Sequence, residues 1–413
     1  MNGGGRLLSE LSGREKPAAE GGKPVRDTFL IYGSPLIEEP EIREVVDTLE
    51  SGWLGTGKKT HAFEELFRKH TGSKHALGLN SCTAALHLAC VVSGLKPGDE
   101  VITTPMTFCA TANVVVHAGA TPVFADVEKD SMNIDPKQIK AHITARTRAV
   151  LIVHFTGRSC RMDEIMRIVQ KHDLILIEDC AHAVETSWNG KPAGTFGNFG
   201  CFSFYVTKNV VTGEGGMLVT DNDEQYEQAR ILSLHGMSKD AYKRFSESGY
   251  KHYGVEYAGF KYNMTDMQAS LGIHQLGRLN CNWERRREIW NRYNEAFRDL
   301  PCITPAPVEK GTKHAFHLYT LLLRLERLRV DRDTILDALA KENIGVGVHY
   351  LALHLQPFYR HTYHYHEGMF QNAEWISERT ISIPLSPKLS DDDAGDVIRA
   401  VRKVLTWYEK GEG

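Results

Sequence analysis

Between residues 75 and 179 the chain alternates five short apolar strands with four helices, and no other stretch narrows the possible folds as much. Strand patterns fall at 76–79, 100–104, 121–127, 149–154 and 174–177, and helical patterns at 84–93, 107–118, 135–143 and 163–172. The runs at 149–154 and 174–177 lack polar alternation, as strands buried on both faces do. This rhythm predicts an α/β fold with a largely parallel sheet and helices on both sides. Ligands on such sheets collect at the carboxyl ends of the strands. Ser81, Thr83, Asp179 and His182 all fall just past a strand.

A second constraint is the stretch 199–220, FGCFSFYVTKNVVTGEGGMLVT. Lys208 sits between two apolar strands, with Gly213-Glu214-Gly215-Gly216 as a turn suited to positive φ. Such a lysine either forms a Schiff base with an aldehyde cofactor or snorkels its charge to water, and the stretch alone leaves both open.

Other candidates carry the same double reading. Asn80-Ser81-Cys82-Thr83-Ala84 puts hydroxyls and backbone N–H groups at a helix start, as a phosphate cradle or as an ordinary N-cap. Asp179 ends a buried strand, where an acid is costly unless paired. It can hold a protonated pyridine nitrogen, a magnesium ion or a helix cap. His182 reaches the same ligand or is a satisfied structural histidine. Ser203 faces a phosphate or is tolerated in its strand, and Phe108 stacks on a flat ring or belongs to the core. His349, Tyr350 and His354 fall at a strand end facing a cleft between units. The tract His361-Thr362-Tyr363-His364-Tyr365-His366 has a metal-binder's composition without acidic or cysteine partners at ligand spacing. It is read as a loop, and no metal ligand is assigned. A phosphate cradle, a strand-tip acid and a lysine, in that order, fit pyridoxal 5′-phosphate better than a dinucleotide, since no GxGxxG follows a strand.

Composition sets the outer bounds. Forty-nine basic against fifty-two acidic residues in 413 leave a net charge of −3, which gives no reason to expect nucleic acid or an anionic membrane as partner. No apolar run approaches the roughly 18 residues of a membrane span. The eight cysteines form no CxxC pair and read as reduced thiols of a cytoplasmic protein. Residues 1–27 read as a mobile tail and 28–270 as a large cofactor-binding unit. A helix at 37–51, with Ile42, Val45, Val46 and Leu49 at helical spacing, is expected to join the C-terminal unit. Residues 231–262 read as a surface excursion or lid. Residues 266–298 read as one long helix in which Gly272 and Gly277 mark a bend or close packing, with 271–300 linking to a small α+β unit at 301–413.

With those residues in view, the chain resembles the DegT/DnrJ/EryC1/StrS family of pyridoxal-phosphate sugar aminotransferases over nearly all of its length after Thr28. The resemblance runs through Ser51-Gly52-Trp53 with Thr56-Gly57, Asn80 to Leu86, and Gly98-Asp99-Glu100-Val101-Ile102. It continues through Thr107-Phe108, Glu178-Asp179-Cys180-Ala181-His182-Ala183, the Lys208 stretch, Tyr262-Asn263-Met264-Thr265-Asp266 and His317-Leu318-Tyr319. It implies the type I aminotransferase fold, with a mostly parallel seven-stranded sheet and a small C-terminal α+β domain. It further implies that Lys208 is the Schiff-base lysine and proton shuttle, that Asp179 pairs with the pyridine nitrogen, and that His182 lies near the ring hydroxyl. Phe108 would stack on the ring, while Cys82, Thr83 and Ser203 hold the phosphate. Asn263 would reach the phosphate in a neighbouring subunit, making a homodimer with shared sites. Trp53, Thr56, His349 and Tyr350 are the candidate substrate contacts. The implied reaction moves an amino group from L-glutamate to a nucleotide-linked keto sugar. His235-Gly236-Met237 through Asp240-Ala241-Tyr242, with Gly345 to His349, resemble the branch acting on UDP-linked 4-keto sugars. Arg158 departs from the common pattern and leaves a substrate or surface contact open. A same-fold sugar dehydratase, which carries histidine at the lysine position, and a non-enzymatic sugar-nucleotide regulator are the alternatives.

Overall fold

The computed structural model describes residues 14–237 and 254–411. Seven strands form the main sheet: β1 (His75–Leu79), β2 (Glu100–Thr103), β3 (Thr121–Phe124), β4 (Thr147–Val153), β5 (Ile175–Asp179), β6 (Phe199–Ser203) and β7 (Gly216–Thr220). Their order is β1-β7-β6-β5-β4-β2-β3. β2 to β6 pair in parallel, and β7 alone runs against its neighbours β6 and β1. β6 and β7 are buried throughout, as their unbroken apolar runs require.

Successive side chains along these strands feed opposite layers. Leu151, Ile177 and Cys201 meet the helices Cys82–Val92 and Cys109–His117 on one face. On the other, Val150, Ile152 and Leu176 meet the helix Met162–Lys171. Phe202 and Met217 meet Phe63 and Phe67 of the helix Lys58–Thr71 on that second side. Gly272 is required here, because a methyl group would overlap the Phe63 ring, 2.6 Å from its edge.

The C-terminal unit holds a three-stranded antiparallel sheet, β8 (Cys302–Ile303), β9 (Tyr319–Leu323) and β10 (Thr380–Ile383), in that order. The helix Asp391–Tyr408 packs on this unit and opens with a Ser390–Asp393 capping box. Residues 346–350 form no strand there; Gly347 makes only an isolated bridge to Ser382.

Three expectations change. The long helix is two, Asp266–Gly277 and Leu279–Ala296, broken at Arg278, whose guanidinium is drawn to Glu38, Glu41 and the Leu36 carbonyl. The helix Glu39–Glu50 packs not on the C-terminal unit but on Asp266–Gly277. Its polar side makes that contact: Glu41 is fully buried against Gln275 and Arg278, and Glu44 holds Lys59 and His274. Residues 14–27 are also not a free tail. From Arg14 the chain lies on the C-terminal unit, where buried Glu342 accepts the Ala18 and Val25 N–H groups and pairs with Lys403. The middle of the expected lid, 238–253, lies outside the described residues, as do Asp240, Ala241 and Tyr242; residues up to 233 continue the helix Asp223–Ser233.

Candidate active site

At the carboxyl ends of β4, β5 and β6 a cavity of about 410 Å³ opens between the two units. That size lies within the roughly 300–1,000 Å³ of ligand pockets. Cys82, Thr83, Phe108, Asp179, His182, Ser203, Lys208, His349 and Tyr350 all line it. Residues from separate stretches of chain therefore meet as the strand ends require. Trp53, Thr56 and Asn263 do not line it within one chain. Asn263 instead donates to the Thr56 hydroxyl at 2.7 Å, and the Trp53 indole donates to the Thr56 carbonyl.

One end of the cavity is the N-terminus of the helix Cys82–Val92. Ser81 is its N-cap, with its hydroxyl accepting from Ala84 N–H and its carbonyl from Ala85 N–H. Ser81 thus takes the ordinary capping role, and no group among the described residues takes the Cys82 and Thr83 N–H donors. Two orphan donors at the positive end of a helix dipole, with the Ser203 hydroxyl lining the same cavity, suit a phosphate. The turn before β7 serves this end. Gly213 takes φ +80°, whereas Gly216 is needed for closeness, since a methyl there would overlap the Ser81–Cys82 peptide.

The Asp179 carboxylate stands at the β5 tip, 5% exposed. Burial raises its pKa; the Ala181 N–H, the Thr111 hydroxyl at 2.8 Å and the charge of Lys208 oppose that rise. Thr111 was missed from sequence, although its hydroxyl partner Thr107 sits four residues earlier, just before the helix start, at 2.8 Å. Lys208 is half-buried, and desolvation lowers its amine to about pKa 8 against the pull of Asp179. The site therefore pairs a strand-tip acid with an amine that loses its proton readily.

His182 is buried and held neutral, its pKa pushed well below the ordinary value by burial and by Lys208. The Thr156 N–H donates to its Nδ1 at 3.3 Å, so the ring proton lies on Nε2, 3.4 Å from the Tyr350 hydroxyl. His349 bonds Ser382 through Nδ1, and burial lowers it to about pKa 4. Phe108 is 57% exposed, its ring centroid 6.1 Å from that of Tyr350, and is a wall of the cavity rather than core. His354 lies outside, bonded to Glu374.

Arg158 is not a cavity residue. It is 3% exposed and staples the end of β4 to the strand-free segment at 306–309, bonding the carbonyls of Ala306 and Pro307 and the Glu309 carboxylate. His154, Glu178 and Cys180 form a compact buried group that has a metal site's composition. The Glu178 oxygens are already taken by His154 and by the N–H groups of Gly194, Phe196 and Gly197. That saturation makes the group a brace behind Asp179.

Residues 35–402 match the model of the DegT/DnrJ/EryC1/StrS aminotransferase family. The spore coat polysaccharide biosynthesis protein SpsC of Bacillus subtilis is 49% identical over 381 residues, 92% of this chain and 98% of that protein. Among solved structures, Spr1654 from Streptococcus pneumoniae in its PMP-form superposes with a TM-score of 0.85 at 33% identity, covering 91% of this chain and 98% of that one. Its PLP-form does so at 0.85 and 32%. Helicobacter pylori PseC, an aminotransferase involved in the biosynthesis of pseudoaminic acid, gives 0.84 at 30% identity over 92% of this chain and 99% of its own.

Proposed function

The chain belongs to the DegT/DnrJ/EryC1/StrS aminotransferase family, and we propose that it moves the amino group of L-glutamate to a UDP-linked 4-keto sugar. It is a pyridoxal-phosphate-dependent sugar aminotransferase. One observation carries the assignment of roles: a single cavity brings together Lys208, Asp179, His182, Ser203 and the open helix end at Cys82–Thr83.

The donor set fits the cofactor. The N–H groups of Cys82 and Thr83 with the Ser203 hydroxyl would hold its phosphate, and Asp179 its ring nitrogen. Phe108 would stack on the ring, and the Nε2–H of His182 would face its hydroxyl. When bound, the cofactor supplies an electron sink that acidifies the α-proton of an amino acid. The remaining work falls to the protein. Lys208, poised near pKa 8, would take that proton from the amino acid's α-carbon and deliver it to the carbon of the cofactor's aldehyde group; a base works best when its pKa lies near the working pH. Thr111 and Ala181 N–H aim Asp179 and oppose the rise that burial gives its pKa. A second cavity of about 650 Å³ shares Thr107, Phe108 and Tyr350 with the first and gives room for the sugar nucleotide.

The test separates donor from acceptor. Protein loaded with pyridoxal 5′-phosphate and given L-glutamate alone is expected to release 2-oxoglutarate in an amount equal to its sites. A UDP-4-keto sugar is then expected to reset it for another round. No release with any amino acid overturns the aminotransferase roles; release that only a TDP- or GDP-linked sugar resets overturns the nucleotide.

The functional unit we propose is a homodimer. Ile42, Val46 and Leu49 form a stripe on the helix Glu39–Glu50 that stays 51%, 43% and 52% exposed, and Trp53 and Leu54 extend it. A contiguous apolar face of this kind marks an association surface. A second copy is the occupant, because Asn263 and Thr56, tied to Trp53, stand here outside their own chain's cavity. I42E/V46E is expected to sediment at half the wild-type mass and to lose at least about tenfold in turnover, through misplacement of Asn263. A monomeric wild-type protein overturns the shared site.

A further inference from the structure

The mechanism above gives no role to a buried charged pair that lies beside the cavity. Arg286 lies on the helix Leu279–Ala296, which joins the two units, and ion-pairs with Glu185 in the loop after β5. Their side chains are 1% and 0% exposed. A buried ion pair is weak evidence for stability, because apolar side chains of similar volume often pack as well or better. What apolar side chains cannot do is orient a polar neighbour.

That neighbour is Asn209, the residue after Lys208. Its Nδ2 donates to Glu185 Oε2 at 2.8 Å and to the Ala315 carbonyl at 3.0 Å. Both partners are acceptors, so the amide cannot flip without setting its oxygen against a carboxylate and a carbonyl. The Arg286 guanidinium, bonded to Glu185 Oε1, holds the carboxylate against Asn209 and so enforces that choice. Asn209 Oδ1 then faces His317 Nδ1 at 3.0 Å. An amide oxygen only accepts, so His317 must carry its proton on Nδ1. Burial and the surrounding cations Lys208 and Arg286, with His349 and His314, keep this ring neutral, which leaves Nε2 bare.

The His317 ring lies 4.5 Å from that of His182, at 34°. Thr156 ties the two together: its N–H donates to His182 Nδ1, and its carbonyl accepts from the backbone N–H of His317. The rings therefore have opposite tautomers, His182 protonated at Nε2 and His317 at Nδ1. A line of fixed hydrogen bonds runs from the joining helix to the wall of the active site, passing through the residue bonded to Lys208.

We propose that Arg286 is a positioning residue of the active site: with Glu185 it sets the Asn209 amide, and through it both the tautomer of His317 against His182 and the backbone beside Lys208. The orientation of the joining helix is thereby transmitted to the reacting end of the cavity. This rests on the roles given above to Lys208 and His182, but its first test needs neither cofactor nor turnover.

Cofactor-free protein carrying ring-¹⁵N histidine is examined by NMR, with the His317 signals identified by their loss in H317Q. Wild-type His317 is expected to show a protonated Nδ1 and a bare Nε2. E185Q/R286M, which removes both charges at similar volume, is expected to show the two nitrogens averaged. R286K, which keeps a cation on Glu185, is expected to retain the wild-type pattern. The opposite tautomer or an average in wild type overturns the proposal, and so does a wild-type pattern in E185Q/R286M. If E185Q/R286M does not fold, the wild-type spectrum and R286K still decide. In the loaded enzyme, E185Q/R286M is expected to lose about tenfold in kcat, with the glutamate KM within about twofold. An unchanged kcat with a lowered melting temperature would mark the pair as structural only and overturn the proposal.

Discussion

Lys208→Ala is expected to lower turnover with glutamate by roughly four orders of magnitude, the upper range for loss of a positioned acid–base group. The same variant is expected still to bind the cofactor's phosphate, because Cys82, Thr83 and Ser203, the proposed phosphate holders, are untouched. Binding without turnover is thus the outcome that separates a missing base from a collapsed pocket. Lys208→Arg is expected to fail nearly as badly. Arginine keeps the cation but stays protonated at any working pH, so it cannot take a proton. A fully protonated Lys208 would be equally inert, which gives the role a pH signature. Desolvation lowers this amine to about pKa 8. The neutral, nucleophilic form is the majority above that value and the minority below it. Capture of pyridoxal 5′-phosphate by the cofactor-free protein should therefore accelerate as pH rises through about 8 and level off above it. An exposed lysine, with a pKa near ~10.4, would go on accelerating to pH 10 and beyond. Turnover retained in Lys208→Ala removes the lysine from the mechanism.

The parts of this site that could be read from sequence are those whose chemistry is local. β4 and β5 show as apolar runs because both their faces are covered, and a strand tip follows from where the run stops, at Glu178-Asp179. The helix start at Ser81 shows because a cap is a short-range device. Periodicity also shows which side of the helix Glu39–Glu50 is apolar, but not what covers it. The expectation that this face docks on the C-terminal unit failed because the polar face, through Glu41 and Glu44, makes the internal contacts. The helix break at Arg278 shows in sequence only through Gly277, which reads as a bend or close packing, and its cause does not show. The three- and four-residue rhythm continues across it, and the acids that draw Arg278 out are some 240 residues away.

The segment from Arg14 to Asp27 reads as solvated from its Gly, Glu and Lys content, yet it is held by Glu342 and Lys403, near the other end of the chain. The same distance in sequence hid the line from Arg286 to His317. Each of its members is an ordinary polar residue until the fold brings Glu185 between Arg286 and Asn209. Arg158 shows the converse. An unusual charge near a strand end suggests a substrate contact, and its burial among backbone carbonyls makes it a staple.

Asp179→Asn should cost about 10³-fold in turnover, equivalent to roughly 4 kcal/mol of transition-state stabilisation. The two side chains have nearly the same shape, so the loss isolates charge. Removing one partner of a buried charge pair costs on the order of 2–5 kcal/mol, because the other partner is left unmatched. Asp179 is placed to feel the full effect: it is 5% exposed, and its supporting donors, Thr111 and Ala181 N–H, are neutral. The variant also makes a prediction free of turnover. The negative charge of Asp179 raises the pKa of Lys208, whereas burial lowers it. An amide removes the larger of the two influences that oppose burial, the other being Cys82, so the midpoint for cofactor capture should move below about 8. Thr111→Val should act in the same direction on turnover but more weakly. It withdraws one of the bonds that hold the Asp179 pKa down, and so leaves the carboxylate in place with a smaller ionised fraction at acid pH. The loss in Thr111→Val should therefore shrink as pH rises, while the loss in Asp179→Asn persists at every pH. Equal losses in the two variants at high pH would mean that Asp179 serves as a structural hydrogen-bond acceptor, and that its charge does no catalytic work.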